Sequence, residues 1–213
     1  FQPEQAAGVF EAAGLHVLPG VIDSQVHFRE PGLGGKEDLE TGSRCAALGG
    51  VTAVFEMPNT DPSTTSPDMM ADKLARAKGR MHVDHAFYAG ATHDNTDLLP
   101  EMERMAGCCG VKVFMGASTG QLLVEDDEAV ERVLNAISQR AAFHSEDEYR
   151  LAERRKLARQ GDWTSHYEVR DAEAAISSTR RLIRLARKTG KRIHVLHVTT
   201  GESAGIVGQN GSG

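Results

Sequence analysis

The chain has 213 residues, 40% of them hydrophobic and 25% charged, with a formal net charge of -6 at pH 7. This composition is typical of a globular protein with one sizeable core, so intrinsic disorder is excluded as the default. The acidic balance and the lack of a long basic run exclude a nucleic-acid surface as the main function. No apolar run approaches the roughly 18 residues of a membrane helix, and three cysteines, with Cys108 and Cys109 adjacent, make a poor disulfide framework. We therefore expect a cytoplasmic protein that binds neither membranes nor nucleic acid.

Predicted strands and helices alternate along the chain. Residues 1–14 have no clear period, and the apolar run 15–22 predicts the first strand. Later β-branched and apolar runs predict five more strands, at 51–57, 81–89, 111–115, 141–144 and 192–198. Capping residues and glycine stops predict the helices, at 36–48, 67–78, 97–106, 125–137, 146–159 and 171–188. This alternation predicts a parallel sheet with helices outside it.

The positions of polar residues distinguish a barrel from a doubly wound sheet. Six candidate functional residues lie at or just past the C-terminal ends of five predicted strands, namely Gln25, His27, Asn59, Lys112, His144 and His197. A (β/α)8 barrel gathers its active site at that end of its strands. Residues 29–35 fit neither glycine-rich phosphate motif of a doubly wound sheet. We therefore predict an α/β protein with a TIM-type barrel, incomplete in this chain because only six strands are predicted.

Three polar residues at the end of the first predicted strand indicate a metal site. Asp23, Gln25 and His27 are two apart, so in a strand an acid, an amide and an imidazole leave one face. Arg29 would place a fixed cation beside them, as recognition of a carboxylate requires. The alternative is a half-buried strand whose polar face is only solvated.

Lys112 lies between apolar residues in a predicted strand, which needs an explanation. It could reach solvent at the strand end or pair with a carboxylate. Alternatively, its amine could react with carbon dioxide to form a carbamate whose two oxygens bridge two metal ions. His144 and His197 also lie at strand ends, and His197 is preferred to His194 because the two face opposite sides. Several strand-end imidazoles with a carbamate would suit zinc.

By its ordered motifs the chain resembles dihydroorotase, among the cyclic amidohydrolases of the amidohydrolase superfamily. Besides the His144 and His197 strands, the matching segments are Pro19–Asp23, His27–Gly32, Lys36–Asp38, Gly49–Thr52, Met57–Thr60 and Val111–Gly116. The resemblance implies a metal-dependent hydrolase barrel over residues 15–203, with residues 1–14 as the remnant of a small β-domain. Residues 204–213, rich in glycine and without a helical pattern, are interpreted as a tail or a joined fragment.

The resemblance also implies roles for individual residues. His27, His144 and His197 would bind one or two zinc ions, and carboxylated Lys112 would bridge the pair if there are two. Arg29 and Asn59 would hold the carboxylate of a small-molecule substrate. The implied reaction is the reversible interconversion of dihydroorotate and N-carbamoyl-L-aspartate in pyrimidine biosynthesis, and the resemblance makes a homodimer plausible.

Two departures from the family pattern leave alternatives open. Gln25 stands where the family has the first histidine of His-x-His, so it would be a weaker fifth ligand and could leave a single metal. The catalytic aspartate of the eighth strand has no counterpart before Gly213, so the catalytic residue is unknown and the chain itself could be inactive. The alternatives are another cyclic ureide hydrolase, of the allantoinase or hydantoinase type, or a metal-poor homologue that serves as a partner subunit.

Overall fold

The computed structural model describes residues 7–117 and 120–211. Six strands form one parallel sheet in chain order, so each strand is a neighbour of the next. They are β1 Val21–Val26, β2 Val51–Glu56, β3 Asp84–Gly90, β4 Cys108–Phe114, β5 Ala141–His144 and β6 Ile193–Val195. Among the described residues β1 pairs only with β2 and β6 only with β5. The sheet is therefore a curled, open part of a TIM-type barrel, as the sequence predicts.

Helices cover the outer face of the sheet. They are α1 Leu39–Leu48, α2 Pro67–Ala77, α3 Leu99–Arg104, α4 Asp127–Ala136, α5 Glu148–Arg154, α6 Ser165–Val169, α7 Ala172–Thr189 and α8 Gly201–Asn210. Most of them begin at a side chain that accepts a hydrogen bond from a free backbone N–H group, as Ser66 does for α2 and Asp171 for α7. No helix in the described ranges is long and apolar enough to cross a membrane.

The main core lies between the sheet and the helices. Val54, Phe87 and Val113 from the strands pack there with helix residues such as Met70 and Leu134, all without exposed surface. A smaller cluster, containing Met57, Tyr88, Ala142 and Leu196, fills part of the opposite face. The strand ends are thus fixed from both sides, which positions the residues that follow them.

The first strand is displaced from its predicted position. It runs from Val21 to Val26, whereas residues 15–20 form no strand and Val17 is 82% exposed. The reason is the lack of a partner, because β2 begins only at Val51 and the first backbone contact across the pair joins Val21 to Gly50. An apolar run alone does not show where pairing starts.

The bounds of three further strands differ from the sequence prediction, since β3 begins at Asp84, β4 begins at Cys108, and β6 ends at Val195, before His197. Three helical segments differ as well. The glycine-rich tail is helical as far as Asn210, since Thr200 caps α8 by accepting from the backbone N–H of Ser203. The helix predicted at 146–159 ends at Arg154, and the short α6 follows it. The helix predicted at 97–106 begins as a 3-10 turn and becomes α-helical at Leu99, with Pro100 in the first turn.

Candidate active site

The C-terminal ends of the strands bring most of the predicted site residues to one edge of the sheet. His27 directly follows β1, Asn59 lies in the loop after β2, Lys112 is within β4, His144 ends β5 and His197 follows β6. Cross-strand register places Phe114 opposite His144, so β4 and β5 end at the same level. The structure thus places these predicted residues at the C-terminal edge of the sheet.

His27 and Asn59 contact each other across the first two loops. The Nδ1 of His27 lies 2.9 Å from the Oδ1 of Asn59, so this ring nitrogen donates and Nε2 is left as a free acceptor. Burial, with the nearby charge of Arg29, lowers the pKa of His27 to about 4. The ring is therefore neutral at pH 7, the form in which imidazole binds metals.

Arg29 occupies the left-handed region of the backbone, with a φ of 66°. It lines a cavity of about 670 Å³ with Lys36, Asn59 and the loop that follows Asn59. Phe114 contributes an apolar wall to the same cavity. Two cations and an amide around an open cavity suit a ligand that carries a carboxylate.

Lys112 is the most unusual residue of this edge. Its side chain is 1% exposed, and its Nζ has no hydrogen-bond partner among the described residues. It lies 4.3 Å from the ring centre of Phe114. Burial lowers the pKa of Lys112 to about 7, so a large fraction of the amine is uncharged near neutrality. Lys112 thus neither reaches solvent nor pairs with a carboxylate, and only the uncharged amine can react with carbon dioxide.

His144 and His197 form a second cluster with Glu146 and Arg170. The Nε2 of His144 is 2.5 Å from a carboxylate oxygen of Glu146, and its Nδ1 is 3.0 Å from the Nε2 of His197. Arg170 donates its Nε–H to the other oxygen of Glu146 at 2.9 Å. These four residues line a smaller cavity of about 140 Å³. A carboxylate behind an imidazole fixes the ring orientation, as is common beside metal ligands.

The electrostatics of this cluster keep a negative charge beside the histidines. Burial alone would raise the pKa of Glu146, but hydrogen bonds from His144 and Arg170 bring it down to about 2. Burial and the neighbouring His144 lower the pKa of His197 to about 4. His197 also has a φ of 36°, in the left-handed region. The surrounding structure therefore holds this imidazole neutral and in an unusual backbone conformation.

The predicted convergence of Asp23, Gln25 and His27 is wrong for Asp23. Its exposed carboxylate accepts a hydrogen bond from the backbone N–H of Gln25 at 3.0 Å, within its own strand. The pairing of β1 with β2 is irregular between Asp23 and Val26, so simple alternation of side chains fails there. Gln25 is half-buried, and its side chain enters neither described hydrogen-bond cluster of this edge.

The donors have the chemistry of a divalent metal site, but the structure does not gather them at ligand distance. His27 and His197 are neutral imidazoles, Lys112 is a buried amine without a partner among the described residues, and a carboxylate supports His144. The charge of Lys112 contributes to the lowered pKa of both His27 and His197, whereas the ligand atoms of His27, His144 and His197 form no group within 4.8 Å in the described part of the chain. Imidazole nitrogens with a carbamate oxygen would suit zinc.

A separate group at the protein surface also has the spacing of metal ligands. His93, Glu125 and Asp126 place one ligand atom each within 4.8 Å of one another. The Nε2 of His93 lies 3.0 Å from Glu125, and Asp126 caps α4. These contacts account for the group as an exposed hydrogen-bonded cluster.

Sequence reasoning did not predict the supporting roles of Glu146 and Arg170. Glu146 lies two residues after His144, which is a detectable signal for a carboxylate beside a strand end. Arg170 is 24 residues further along, beyond α5 and α6, so only the folded chain brings it to Glu146.

Comparison with known proteins agrees with this geometry. A sequence profile of the family described as "Dihydro-orotase-like" matches residues 14–111. Residues 14–111 are thus similar to this family. It is 32% identical over 211 residues to a dihydroorotase of Methanosarcina mazei, covering 97% of this chain and 46% of that protein. It is 34% identical over 205 residues to an allantoinase of Rubrobacter xylanophilus, covering 92% of this chain and 45% of that protein.

Solved structures show the same similarity. The L-hydantoinase of Arthrobacter aurescens superposes with a TM-score of 0.84 at 28% identity, covering 90% of this chain and 44% of that one. The chain thus spans about half the length of the curated relatives it matches. The relatives are cyclic amidohydrolases, and the predicted family resemblance and fold class are confirmed.

Proposed function

We propose that this dihydro-orotase-like domain provides the metal-binding and carboxylate-binding parts of a dihydroorotase. The reaction would be the reversible interconversion of dihydroorotate and N-carbamoyl-L-aspartate in pyrimidine biosynthesis. The observation that carries the proposal is Lys112, a buried amine without a partner at the strand edge where His27, His144 and His197 also lie.

The proposed metal is zinc. His27, His144, His197 and carboxylated Lys112 would hold it, and the bound metal would supply an activated water and polarise the ring carbonyl. Gln25 is a poorer ligand than the imidazole of a His-x-His pair, so we propose one zinc ion rather than two. Gln25→His should then raise the bound zinc from one to two ions per chain, measured by elemental analysis. Unchanged stoichiometry would contradict this role for position 25.

The residues of this chain would bind and orient the substrate. Arg29, with Asn59, would hold the substrate carboxylate in the cavity they line. Asn59 would also keep His27 in the tautomer whose Nε2 is free, and Glu146 would orient His144. The Asp23 carboxylate does not take the place of the eighth-strand base, because it accepts a hydrogen bond from the backbone of its own strand. The proton shuttle therefore has no assigned residue.

A second candidate function is hydrolysis of a cyclic ureide without a ring carboxylate. The allantoinase relative matches at 34% identity, against 32% for the dihydroorotase, so overall similarity does not separate the two substrate classes. Arg29 and Lys36 in one cavity favour the carboxylate substrate. A metal-poor partner subunit is the third reading, and bound zinc would argue against it.

The experiment compares two substrates and two arginine variants. Ring opening of dihydroorotate and of carboxylate-free dihydrouracil is measured in the zinc-loaded full-length protein that contains this domain, with Arg29→Ala and the exposed Arg44→Ala as matched control. We expect turnover of dihydroorotate, weakened roughly 10- to 100-fold by Arg29→Ala because a charge-assisted hydrogen bond is lost. Absence of zinc binding, or equal effects of the two variants, would overturn the proposal.

The proposal also includes a cytosolic location and a homodimer. Three free cysteines support a reducing compartment. Exposed apolar side chains along residues 9–22, including Val9, Phe10 and Val17, offer a surface that association could cover. Sedimentation at several concentrations measures the oligomeric state.

A further inference from the structure

Arg29 and Asn59 together form the candidate carboxylate clamp. A buried ion pair lies behind this clamp and takes no part in the proposed chemistry. Glu56 ends β2 and Lys73 lies within α2, with side chains 1% and 0% exposed. The Nζ of Lys73 contacts Oε2 of Glu56. Burial alternates along β2, so Glu56 shares the helix-facing side with Val54. The pair therefore belongs to the layer between sheet and helices, outside the substrate cavity.

The pair lies beside the backbones of both clamp loops. Lys73 donates to the carbonyl oxygen of Met57 at 3.0 Å, two residues before Asn59. The backbone N–H groups of Arg29 and Phe28 lie on the side of the Glu56 carboxylate and lower its pKa, against the effect of burial. The backbone N–H of Met57 in turn donates to Val26 at 3.0 Å. One buried pair thus connects the chain segments that present Arg29 and Asn59.

Arg29 needs such support because of its backbone conformation. A φ of 66° is unfavourable for a residue with a side chain and persists where surrounding contacts impose it. The Glu56 carboxylate, whose pKa the N–H of Arg29 lowers, is a neighbour of this kind. Its guanidinium direction therefore depends on a carboxylate that never touches the substrate.

The two members of the pair also depend on each other. Burial raises the pKa of Glu56 and lowers that of Lys73, while the charge of each partner opposes the shift. Removing one member leaves the other buried and uncompensated. Replacing both by neutral groups of similar shape avoids that penalty, which gives a variant that can still fold.

We propose that Glu56 and Lys73 are positioning residues that set the preference of this site for a carboxylate-bearing substrate, by holding the loops of Arg29 and Asn59 in register. This inference rests on the proposed function. A displacement of about 1 Å in a positioning group is enough to cost a large factor in rate. Of the proposed metal ligands, His144 and His197 lie on β5 and beyond β6, away from this pair, whereas His27 lies beside Phe28 and contacts Asn59. The zinc content of each variant is therefore measured first, and an unchanged zinc content assigns the effect to substrate selection.

The test is the ratio of kcat/KM for dihydroorotate to that for carboxylate-free dihydrouracil. Lys73→Met should lower this ratio by at least about 10-fold, mainly through KM for dihydroorotate, while turnover of dihydrouracil stays within about 3-fold. The double variant Glu56→Gln with Lys73→Met retains an amide oxygen for the Arg29 N–H and should recover part of the ratio. Arg76→Met, on the exposed face of the same helix, is the matched control. If Lys73→Met lowers kcat/KM for both substrates by the same factor, or lowers neither, the ratio is unchanged and the pair does not set the substrate preference.

A second readout separates this inference from the proposed reaction. Hydrogen exchange at the backbone N–H groups of Phe28 and Arg29 needs no turnover. We expect exchange about 10-fold faster in Lys73→Met than in the parent, with no change at Ala46 within α1, because the carboxylate beside these N–H groups is displaced. If the protein is inactive but exchange at Phe28 and Arg29 is faster in Lys73→Met, the proposed reaction is rejected while the positioning role of the pair at Arg29 is retained. Unchanged exchange at both groups would overturn the positioning role itself.

Discussion

The two halves of the candidate site are supported by different physical means. Behind the clamp of Arg29 and Asn59, the supporting groups are buried, as in the pair of Glu56 and Lys73. Behind His144 and His197, the support passes through Arg170 to the segment 146–171, which is held by exposed ion pairs. One of these joins Arg159 to Glu168, whose side chains are 51% and 47% exposed. The clamp half is therefore buried, and the histidine half depends on a charged surface.

This difference predicts different sensitivity to solvent and mutation. Exposed ion pairs contribute little free energy individually and are screened by salt. Buried polar groups lose much more when a partner is removed. A single substitution of a buried supporting residue should therefore be enough to disrupt substrate binding by the clamp. The zinc affinity of the histidine cluster should instead fall gradually as ionic strength rises.

The largest effect is expected at Lys112, which adjoins both halves. Lys112→Met should abolish zinc binding, because the carbamate oxygen disappears with the amine. The same change should stabilise chelator-treated protein by about 1–3 kcal/mol, since an unpaired buried donor is replaced by an apolar side chain. Elemental analysis and urea unfolding measure the two effects.

Val113→Ala serves as the control for the same strand. It should lower stability, since Val113 is fully buried, and leave zinc binding in place. Loss of zinc binding together with a gain in stability in Lys112→Met would identify a functional lysine. A stability loss with zinc retained would contradict the assignment of Lys112 as a ligand.

The next largest effect is expected in the histidine half. Glu146→Gln should weaken zinc binding roughly 10- to 100-fold, because His144 loses the carboxylate that orients it. Glu168→Gln, a change of the same kind at an exposed ion pair in the same segment, should leave zinc affinity unchanged. Competition titration with a zinc chelator gives both affinities, and equal values for the two variants would refute the role of Glu146.

The residues that sequence reasoning identified share a local signature, whereas the missed ones do not. His144, for example, ends a short apolar run, and β5 has the bounds that the pattern predicts. Lys73 stands among other basic residues on an amphipathic helix, so nothing in its neighbourhood marks it as buried. Its burial is a property of the packing of α2 against β2, which sequence periodicity does not reveal.

Backbone conformation is the second limit of sequence reasoning. Strand alternation predicted one face for His27 and Asp23, whereas the structure places His27 beside Asn59 and the Asp23 carboxylate on its own strand, because the strand pairing is irregular between them. Arg29 and His197 have left-handed φ values that their residue types disfavour. Tertiary contacts impose these conformations, so the direction of the two side chains could not be predicted.

A smaller effect is expected from the close packing of α1 in the clamp half. A Cβ at Gly42 would lie 2.4 Å from the ring of Phe28, the residue between His27 and Arg29. Gly42→Ala should therefore destabilise the protein by about 1–3 kcal/mol, in spite of the better helix propensity of alanine. A Cβ at Gly208 of α8 would meet no atom within 4 Å. Gly208→Ala should instead stabilise by about 0.5–1 kcal/mol, and thermal unfolding of both variants checks the contrast.

The smallest effect concerns Glu30, which joins the clamp loop to the end of α2. A two-point hydrogen bond from Arg80 lowers the pKa of Glu30 below its ordinary 4.5, and Glu30 also accepts from the first N–H group of α1. A lowered carboxyl pKa contributes stability above pH 4.5, and that contribution is lost as pH falls through the folded-state pKa. Arg80→Met should therefore cost about 1 kcal/mol at pH 7 and progressively less below pH 4.

Arg76→Met is the control for that pH dependence. Arg76 and Asp72 form an exposed pair one helical turn apart, worth roughly 0.3–0.5 kcal/mol. Urea unfolding of both variants at pH 7 and pH 3 compares the two contributions. If Arg80→Met loses the same free energy at both pH values, the side chain acts through packing of its aliphatic stem. If Arg80→Met and Arg76→Met lose the same free energy of unfolding at pH 7, the ion pair of Glu30 contributes no more than an exposed surface pair. The contrast between the two halves of the site then fails at this position.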